Sequence, residues 1–353
     1  MRVKVSETGC LYWHDGQLVW DDGIRHEKLA LTNLSEVVLR WFATWRELST
    51  AADLGAQALR VAERLVDRGL LIAEGTPQHQ LEQRVLDRWR AWGPAARQYH
   101  FASRTLTSTA FYTFAEDDER LRVKGRQDPA PPAFKSYPDR ELVPIPPGPV
   151  KDDDWPYRGL VQSLYRRRTV REYRDEPIAL SDLASLLQIV GGVVGRFDDP
   201  YTGTSLFRTS PFAGARHAIE MYVYARRVDG LAPGIYHFAA DRCGLEVLRV
   251  PCSQEEVDAV AGHQTWAADC SATIFYTAVL ERLQWKYEMP RSYRDVMTGL
   301  GHYSQTAFLT ATAMGLGMAF ITAIRDEAAE RLLGCDGSEE IVLATAMLGH
   351  PAG

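Results

Sequence analysis

The sequence predicts an α+β protein, and three observations carry that expectation. Ile219–Ala225 and Ser271–Val279 are dense in β-branched and aromatic residues and read as strands, the second buried on both faces. Leu183, Leu186, Leu187 and Val190 recur at helical spacing. Strand-like and helix-like stretches alternate irregularly and include apparent hairpins, which points to a layered α+β domain with a mixed sheet rather than a regular doubly wound array.

The N-terminal part is built differently. Residues up to about 30 alternate loosely around the turn Asp21-Asp22-Gly23, as short strands do. Asn33-Leu34-Ser35-Glu36 resembles a capping box. Leu34, Val37, Val38, Trp41 and Phe42 then mark one face of a helix. A short helix is expected near Thr50–Leu54. A third helix buries Leu59, Ala62, Leu65 and Val66, closes at Gly69 and runs into the strand Leu70-Leu71-Ile72. That order is winged-helix-like. The third helix carries Arg60, Arg64 and Arg68 among Glu63 and Asp67, a mixed face rather than a basic stripe, so a peptide-binding or structural role is favoured over DNA binding. Residues 80–93 form one more helix, stopped at Gly93-Pro94.

Eight of the 18 prolines lie between Asp128 and Pro149. Such a run disfavours sheet and helix interiors and reads as an extended connector. The expected division is therefore an N-terminal domain at 1–127, a connector at 128–154 and the main domain at 155–353. In the main domain, Ser181-Asp182-Leu183 starts a helix closed by Gly191-Gly192. Strands follow at Gly234–Phe238 and Leu245–Val250, with a helix at Gln254–Ala261. A long helix runs from about Tyr293 to Met314, ends at Gly315-Leu316-Gly317 and returns as the strand Met318–Ala323. A helix at Asp326–Leu333 and a strand at Ile341–Leu348 complete it.

Composition bounds the function. The chain has 353 residues, 46% hydrophobic and 24% charged, an ordinary globular balance. Its net charge of −6 argues against a general nucleic-acid binder. There is no apolar run long enough for a membrane helix, and the first residues do not resemble a signal peptide. Five scattered cysteines without a Cys-x-x-Cys pair indicate neither a disulfide framework nor a zinc site, and no other metal pattern is present. A cytoplasmic protein with free thiols is expected.

Four features could carry chemistry. Arg166-Arg167-Arg168-Thr169-Val170-Arg171 gathers four guanidinium groups and a hydroxyl, donors suited to a phosphate, although a short basic run also fits a solvated turn. Pro211-Phe212-Ala213-Gly214-Ala215-Arg216-His217 is a small-residue turn that would let backbone approach a flat ligand. Lys286-Tyr287 pairs two groups capable of proton transfer, or is a surface lysine beside a packed tyrosine. Gly315-Leu316-Gly317 reads equally as a plain helix cap. There is no Gly-x-Gly-x-x-Gly after a strand, no Walker A sequence and no Gly-x-Ser-x-Gly elbow.

The order and spacing of these features resemble the nitroreductase superfamily of flavoproteins, and more closely its SagB-type dehydrogenase branch, the azoline oxidases of thiazole- and oxazole-modified peptide biosynthesis. The resemblance covers about residues 155–350. It extends upstream through Trp92-Gly93-Pro94-Ala95, Tyr99-His100, Arg104 and Phe134-Lys135-Ser136-Tyr137-Pro138, and the N-terminal segment resembles the peptide-recognition modules of such pathways. The resemblance implies a homodimer with non-covalent FMN. Arg167, Arg168, Thr169 and Arg171 would hold its phosphate and ribityl side. Phe212, Ala213 and Gly214 would line the ring, with Gln305, Gly315 and Gly317 completing the cofactor set. Lys286 and Tyr287 would be the catalytic pair. A peptide substrate and a cyclodehydratase partner are implied, and no nucleic acid or membrane.

Departures from that pattern are local. Phe212 stands where the family turn usually has Ser, Ala218 where it has a second Pro, and Thr306 where Asn follows Gln305. Glu288-Met289-Pro290 replaces a glycine-containing continuation. Three alternatives stay open: another peptide redox reaction, an NAD(P)H-dependent nitro- or quinone reductase, and a flavin-less peptide-binding scaffold.

Overall fold

The computed structural model describes every residue except 91–92, 103–113, 147–158, 262–266, 268 and 338. Trp92, Arg104, Pro149 and the expected domain start at Trp155 lie outside the described residues. The chain folds as two compact units, Met1–Ala110 and Phe111–Gly353.

In the first unit β1 (Arg2–Val5) is followed by a three-stranded meander of β2 (Cys10–His14), β3 (Gln17–Asp22) and β4 (Glu27–Ala30). Then come α1 (Asn33–Trp41), β5 (Arg46–Glu47), a 3-10 stretch at Leu48–Leu54, α2 (Ala56–Asp67), β6 (Leu71–Ala73), α3 (Pro77–Trp89) and α4 (Gly93–Ala102). β1 sits between β5 and β6, antiparallel to both. Val3, Val38, Phe42, Ala62, Leu65 and Leu71 form the core. The helix start is corrected by one residue: Thr32, not Asn33, is the cap, its hydroxyl accepting from the Ser35 amide at 3.2 Å. Gly93-Pro94 begins α4 instead of only ending α3, because proline suits a first helical turn as well as a stop.

The second unit opens with α5 (Phe114–Gln127), which lies on the N-terminal side of the expected division at residue 127. Then come β7 (Leu142–Pro144), α6 (Leu160–Arg166), α7 (Leu180–Gly191), and the hairpin β8 (Val193–Asp199) and β9 (Gly203–Arg208). β10 (Ile219–Ala225), β11 (Gly234–Ala239) and β12 (Gly244–Arg249) follow, then α8 (Gln254–Asp258), β13 (Ala272–Val279), α9 (Glu281–Gln284) and α10 (Ser292–Ala313). β14 (Gly317–Ile321), α11 (Asp326–Leu333) and β15 (Glu340–Gly349) complete the unit. The seven-stranded sheet runs β14-β15-β13-β10-β11-β12-β7 with antiparallel neighbours. One isolated parallel bridge, Thr169–Met318, reaches its β14 edge, and a second, Ile178–Val228, lies outside its strands.

Alternation on the central strands explains the layering. Met221 and Val223 of β10, with Ile274 and Tyr276 of β13, face α7 and α10. Tyr222 and Phe275 face the opposite layer, with Val257, Leu332 and Leu333. Both faces are covered, so the central strands have no solvent-facing side. Two expectations are corrected here. The proline passage does contribute a strand, because β7 is an outermost strand, where Pro144 need not donate to a ladder. And α7 begins at Leu180, with Ala179 as a cap that makes no side-chain hydrogen bond; Ser181 already lies inside the helix.

Candidate active site

The turn after β9 is held against α10. Ser210 Oγ donates to Thr306 Oγ1 at 3.0 Å, and Thr306 Oγ1 donates to the His302 carbonyl at 2.8 Å. His302 Nδ1 donates to the Pro211 carbonyl at 3.0 Å. The Phe212 ring lies on Gly299, where a Cβ would sit 2.1 Å from Cε2. Gly299 is therefore the glycine that admits Phe212. Ala213–Ala215 then make one tight turn, with φ of +56° at both Gly214 and Ala215.

Lys286 and Tyr287 come from the other side. They follow α9, and both amides donate to the Leu283 carbonyl, at 3.2 and 2.9 Å. The structure brings this pair onto the turn: a Cβ on Gly214 would lie 2.5 Å from Tyr287 Oη and 3.1 Å from Lys286 Nζ. Lys286 Nζ is 5.5 Å from the Tyr287 ring centre. Two proton-transfer groups thus meet a backbone surface that bears no side chain.

The surroundings are cationic and dry. Arg216 is 6% exposed, donates from Nη2 to the Thr202 carbonyl and stacks 4.9 Å over Trp285. Its Nε has no acceptor among the described residues. Burial pushes this guanidinium below its ordinary value, while Tyr287 and Asp199 pull the other way. His217 Nε2 donates to the Leu206 carbonyl at 3.0 Å. Its Nδ1 accepts from Tyr303 Oη at 3.2 Å, and that oxygen accepts from Arg208 Nη1 at 3.1 Å. Burial, then the Arg208 charge, push His217 down to about 3, so the imidazole is neutral. Arg282 donates to Glu220, and through Nη1 to the His217 carbonyl at 3.0 Å. Burial pushes Glu220 up, but Arg282 and His237 outweigh it and hold the carboxyl at about 2.

The arginine cluster lies farther along α10. Arg167, the C-cap of α6, places its guanidinium 5.3 Å from the Phe308 ring centre. Arg168 turns Nη1 back to the Tyr165 and Arg167 carbonyls at 3.1 and 2.8 Å. Thr169 is exposed and bridges to Met318, and Arg171 is exposed. Val170 packs against Gly317, where a Cβ would lie 2.7 Å from Cγ1. Gln305 is exposed three residues before Phe308, hence on the same helix face. Gly315, at φ +78°, caps α10, and Leu316 N donates to the Ala311 carbonyl at 2.8 Å.

Two patches therefore share one helix. Arg167 and Gln305 lie near Phe308, and the glycine turn with Lys286 and Tyr287 lies near Gly299. Nine residues of helix separate these marks, about 14 Å. This suits an elongated ligand with an anionic end and a flat end. The bare Gly214 surface and the unpartnered Arg216 Nε fit such a group. A cleft of about 350 Å³ adjoins Tyr287, walled by Leu280, Leu283, Met289, Pro290, Tyr293 and Val296. Sequence reasoning assigns no role to Arg208, Arg282 or Tyr303. Arg216 was visible in the turn motif, but its burial beside Tyr287 was not.

Residues 164–350 match the family model described as "Nitroreductase family". A protein of Methanocaldococcus jannaschii, MJ1384, described as a candidate nitroreductase, is 31% identical over 170 residues, 48% of this chain and 81% of its own. The trifolitoxin-processing protein TfxB of Rhizobium leguminosarum bv. trifolii is 27% identical over 140 residues, 38% of this chain and 37% of its own. A solved structure from Anabaena variabilis, also described as a candidate nitroreductase, aligns with a TM-score of 0.49 at 22% identity. It covers 69% of this chain and 49% of that one. The chain belongs to the nitroreductase family, whose members are typically FMN-dependent oxidoreductases. No helix among the described residues is long and apolar enough to cross a membrane.

Proposed function

We propose that this chain is a SagB-type, FMN-dependent dehydrogenase that oxidises thiazolines or oxazolines in a peptide to thiazoles or oxazoles. The observation that carries the reading is the meeting of Lys286 Nζ and Tyr287 Oη over Gly214. The similarity to a trifolitoxin-processing protein supports a peptide as substrate. A homodimer, a cyclodehydratase partner, peptide recognition by the N-terminal unit and a cytoplasmic setting belong to the same reading.

The residues divide the work. Arg167, Arg168, Thr169 and Arg171 hold the FMN phosphate and ribityl chain, with Gln305 and the close approach at Gly317 beside them. Gly315 ends α10 where the chain turns toward them. Phe212, Ala213 and Gly214 face the ring. Bound flavin supplies the two-electron acceptor for a hydride. One member of the pair, the neutral Lys286 amine or the Tyr287 phenolate, takes the acidic ring proton next to the exocyclic carbonyl and the other tunes it, a step worth about 10²–10⁴-fold. Arg216, buried and with its Nε unpartnered among the described residues, favours the negative charge that develops nearby. Mass spectrometry of a cyclised precursor peptide should show loss of two hydrogens per ring. Lys286→Ala and Tyr287→Phe should each abolish that loss while the protein keeps its flavin. Azole formation undiminished in both variants would remove the proposed role.

The second reading is an NAD(P)H-dependent nitroreductase, favoured by the similarity to MJ1384. Steady NAD(P)H consumption with a nitroaromatic acceptor, and no peptide oxidation, would select it.

A further inference from the structure

Four contacts at regular spacing reach the Lys286–Tyr287 segment from a part of the chain that precedes the family match. Arg120 Nη2 donates to the Lys286 carbonyl at 2.9 Å. Lys124 donates to Glu288, the neighbour of Tyr287. The Asp128 carbonyl accepts from Trp285 Nε1 at 2.8 Å, and the Pro132 carbonyl accepts from Arg282 Nε at 3.1 Å. Positions 120, 124 and 128 are one turn apart on a single face of α5 and its end, so one helix edge runs along the segment. The same helix touches the far side of the site. At Gly125 a Cβ would lie 1.9 Å from the Tyr201 carbonyl oxygen, and Arg126 sits 5.1 Å over the Tyr201 ring. The next carbonyl, Thr202, accepts from Arg216.

We propose that α5 and the residues just after it are a positioning clamp for the active site, fixing Lys286 and Tyr287 relative to the Gly214 turn. The inference rests on the proposed role of that pair. Arg120 is the main positioning residue. Its bond joins a charged donor to a backbone carbonyl in a part-buried place, and it holds the residue whose Nζ lies against Gly214. The Lys124–Glu288 pair is weaker, because Glu288 is 62% exposed. α9 needs such a support because a single helical turn is not stable by itself. The catalytic unit then begins with α5, not at residue 164.

Two substitutions test this in the full-length protein. Arg120→Ala removes the anchor. Gly125→Ala strengthens the isolated helix by propensity but cannot dock without moving it. Hydrogen–deuterium exchange of the Lys286 and Tyr287 amides should rise about tenfold or more in both variants, the scale of a lost charge-assisted bond. With a cyclised peptide, kcat should fall about 10- to 100-fold with KM little changed, as misplacement of reacting groups predicts. Arg120→Lys should recover part of each loss. Asp118→Ala, which removes the surface pair with Arg122 on α5 and none of the contacts above, is the control. Unchanged exchange at 286–287 in both variants overturns the clamp. If the unsubstituted protein oxidises no peptide, the functional reading fails, and the exchange result still decides the clamp.

Discussion

Gly299→Ala isolates the contact that seats the turn on α10. In an exposed helix interior this change stabilises by about 1 kcal/mol. Here the new Cβ would lie 2.1 Å from Phe212 Cε2 and 2.4 Å from Cδ2, so the whole ring must shift by more than about 1 Å. Overpacking of that kind costs about 1–3 kcal/mol, and the net effect is a loss of about 0–2 kcal/mol. In a Phe212→Ala background the obstacle is gone, and the same change should stabilise by about 1 kcal/mol. The double-mutant cycle should therefore show a coupling of about 1–3 kcal/mol. Urea unfolding of the four proteins, followed by circular dichroism, gives the coupling from the midpoints. A coupling under about 0.5 kcal/mol would mean that Phe212 does not lean on Gly299, and the account of how the turn is seated would be refuted.

Gly214→Ala places a methyl at 2.5 Å from Tyr287 Oη on a residue with φ +56°, so azole formation should drop at least about tenfold while a thermal melt shows a loss of about 1–2 kcal/mol. A melt change without an activity change would separate the turn from the chemistry. His217 gives a pH test. Its folded value lies near 3, below the unfolded one, so its contribution is complete above about pH 6.5 and is withdrawn as pH falls toward 3. The slope is about 1.4 kcal/mol per pH unit. Between pH 6.5 and 4.5 the Glu220 carboxyl, held near 2, adds almost nothing. His217→Gln should flatten the stability curve in that window, and an unchanged slope would show that the imidazole is not buried neutral.

Much of the second unit was legible because its periodicities are clean. Ile219–Ala225 and Asp326–Leu333 match the elements read from sequence, and β13 is buried on both faces as its uninterrupted apolar run implied. The hairpin of β8 and β9 was not legible. Arg196, Asp198 and Asp199 dilute its strand pattern, and its Val194, Phe197 and Phe207 point to solvent, so no buried face marks it. α5 and α6 escaped for other reasons: eight of the fourteen residues of α5 are charged, and α6 is only seven residues long, too short for its apolar spacing to repeat. The site residues on turns were legible as motifs, since small residues and adjacent titratable groups stand out in any register. What they touch was not. Nothing in the string places Gly214 under Tyr287, or Arg216 over Trp285, because those contacts join positions about 70 residues apart.

The placement of Lys286 and Tyr287 follows from what lies beneath α9 rather than from α9 itself. Arg282 is 3% exposed and points into the sheet, where Glu220 of β10 accepts its guanidinium. The other oxygen of Glu220 faces His237 Nε2 of β11 at 3.1 Å. His237 Nδ1 faces Glu246 of β12 at 2.6 Å, and Arg242 reaches Glu246 from the rim. The chain of ionisable groups crosses three adjacent strands in the driest part of the unit. Such a network is poor evidence of net stability, because desolvation offsets much of its attraction. Its value is directional. Removing one member leaves a buried charge without a partner, at about 3–5 kcal/mol, so alternative rotamers of Arg282 are excluded. A one-turn helix nailed to a rigid sheet at Arg282, and held from outside through Trp285 and Lys286, has no freedom left at Tyr287 except that of its own side chain. That is the condition a proton-transfer group must meet to act on one carbon of a bound ring and not on its neighbours.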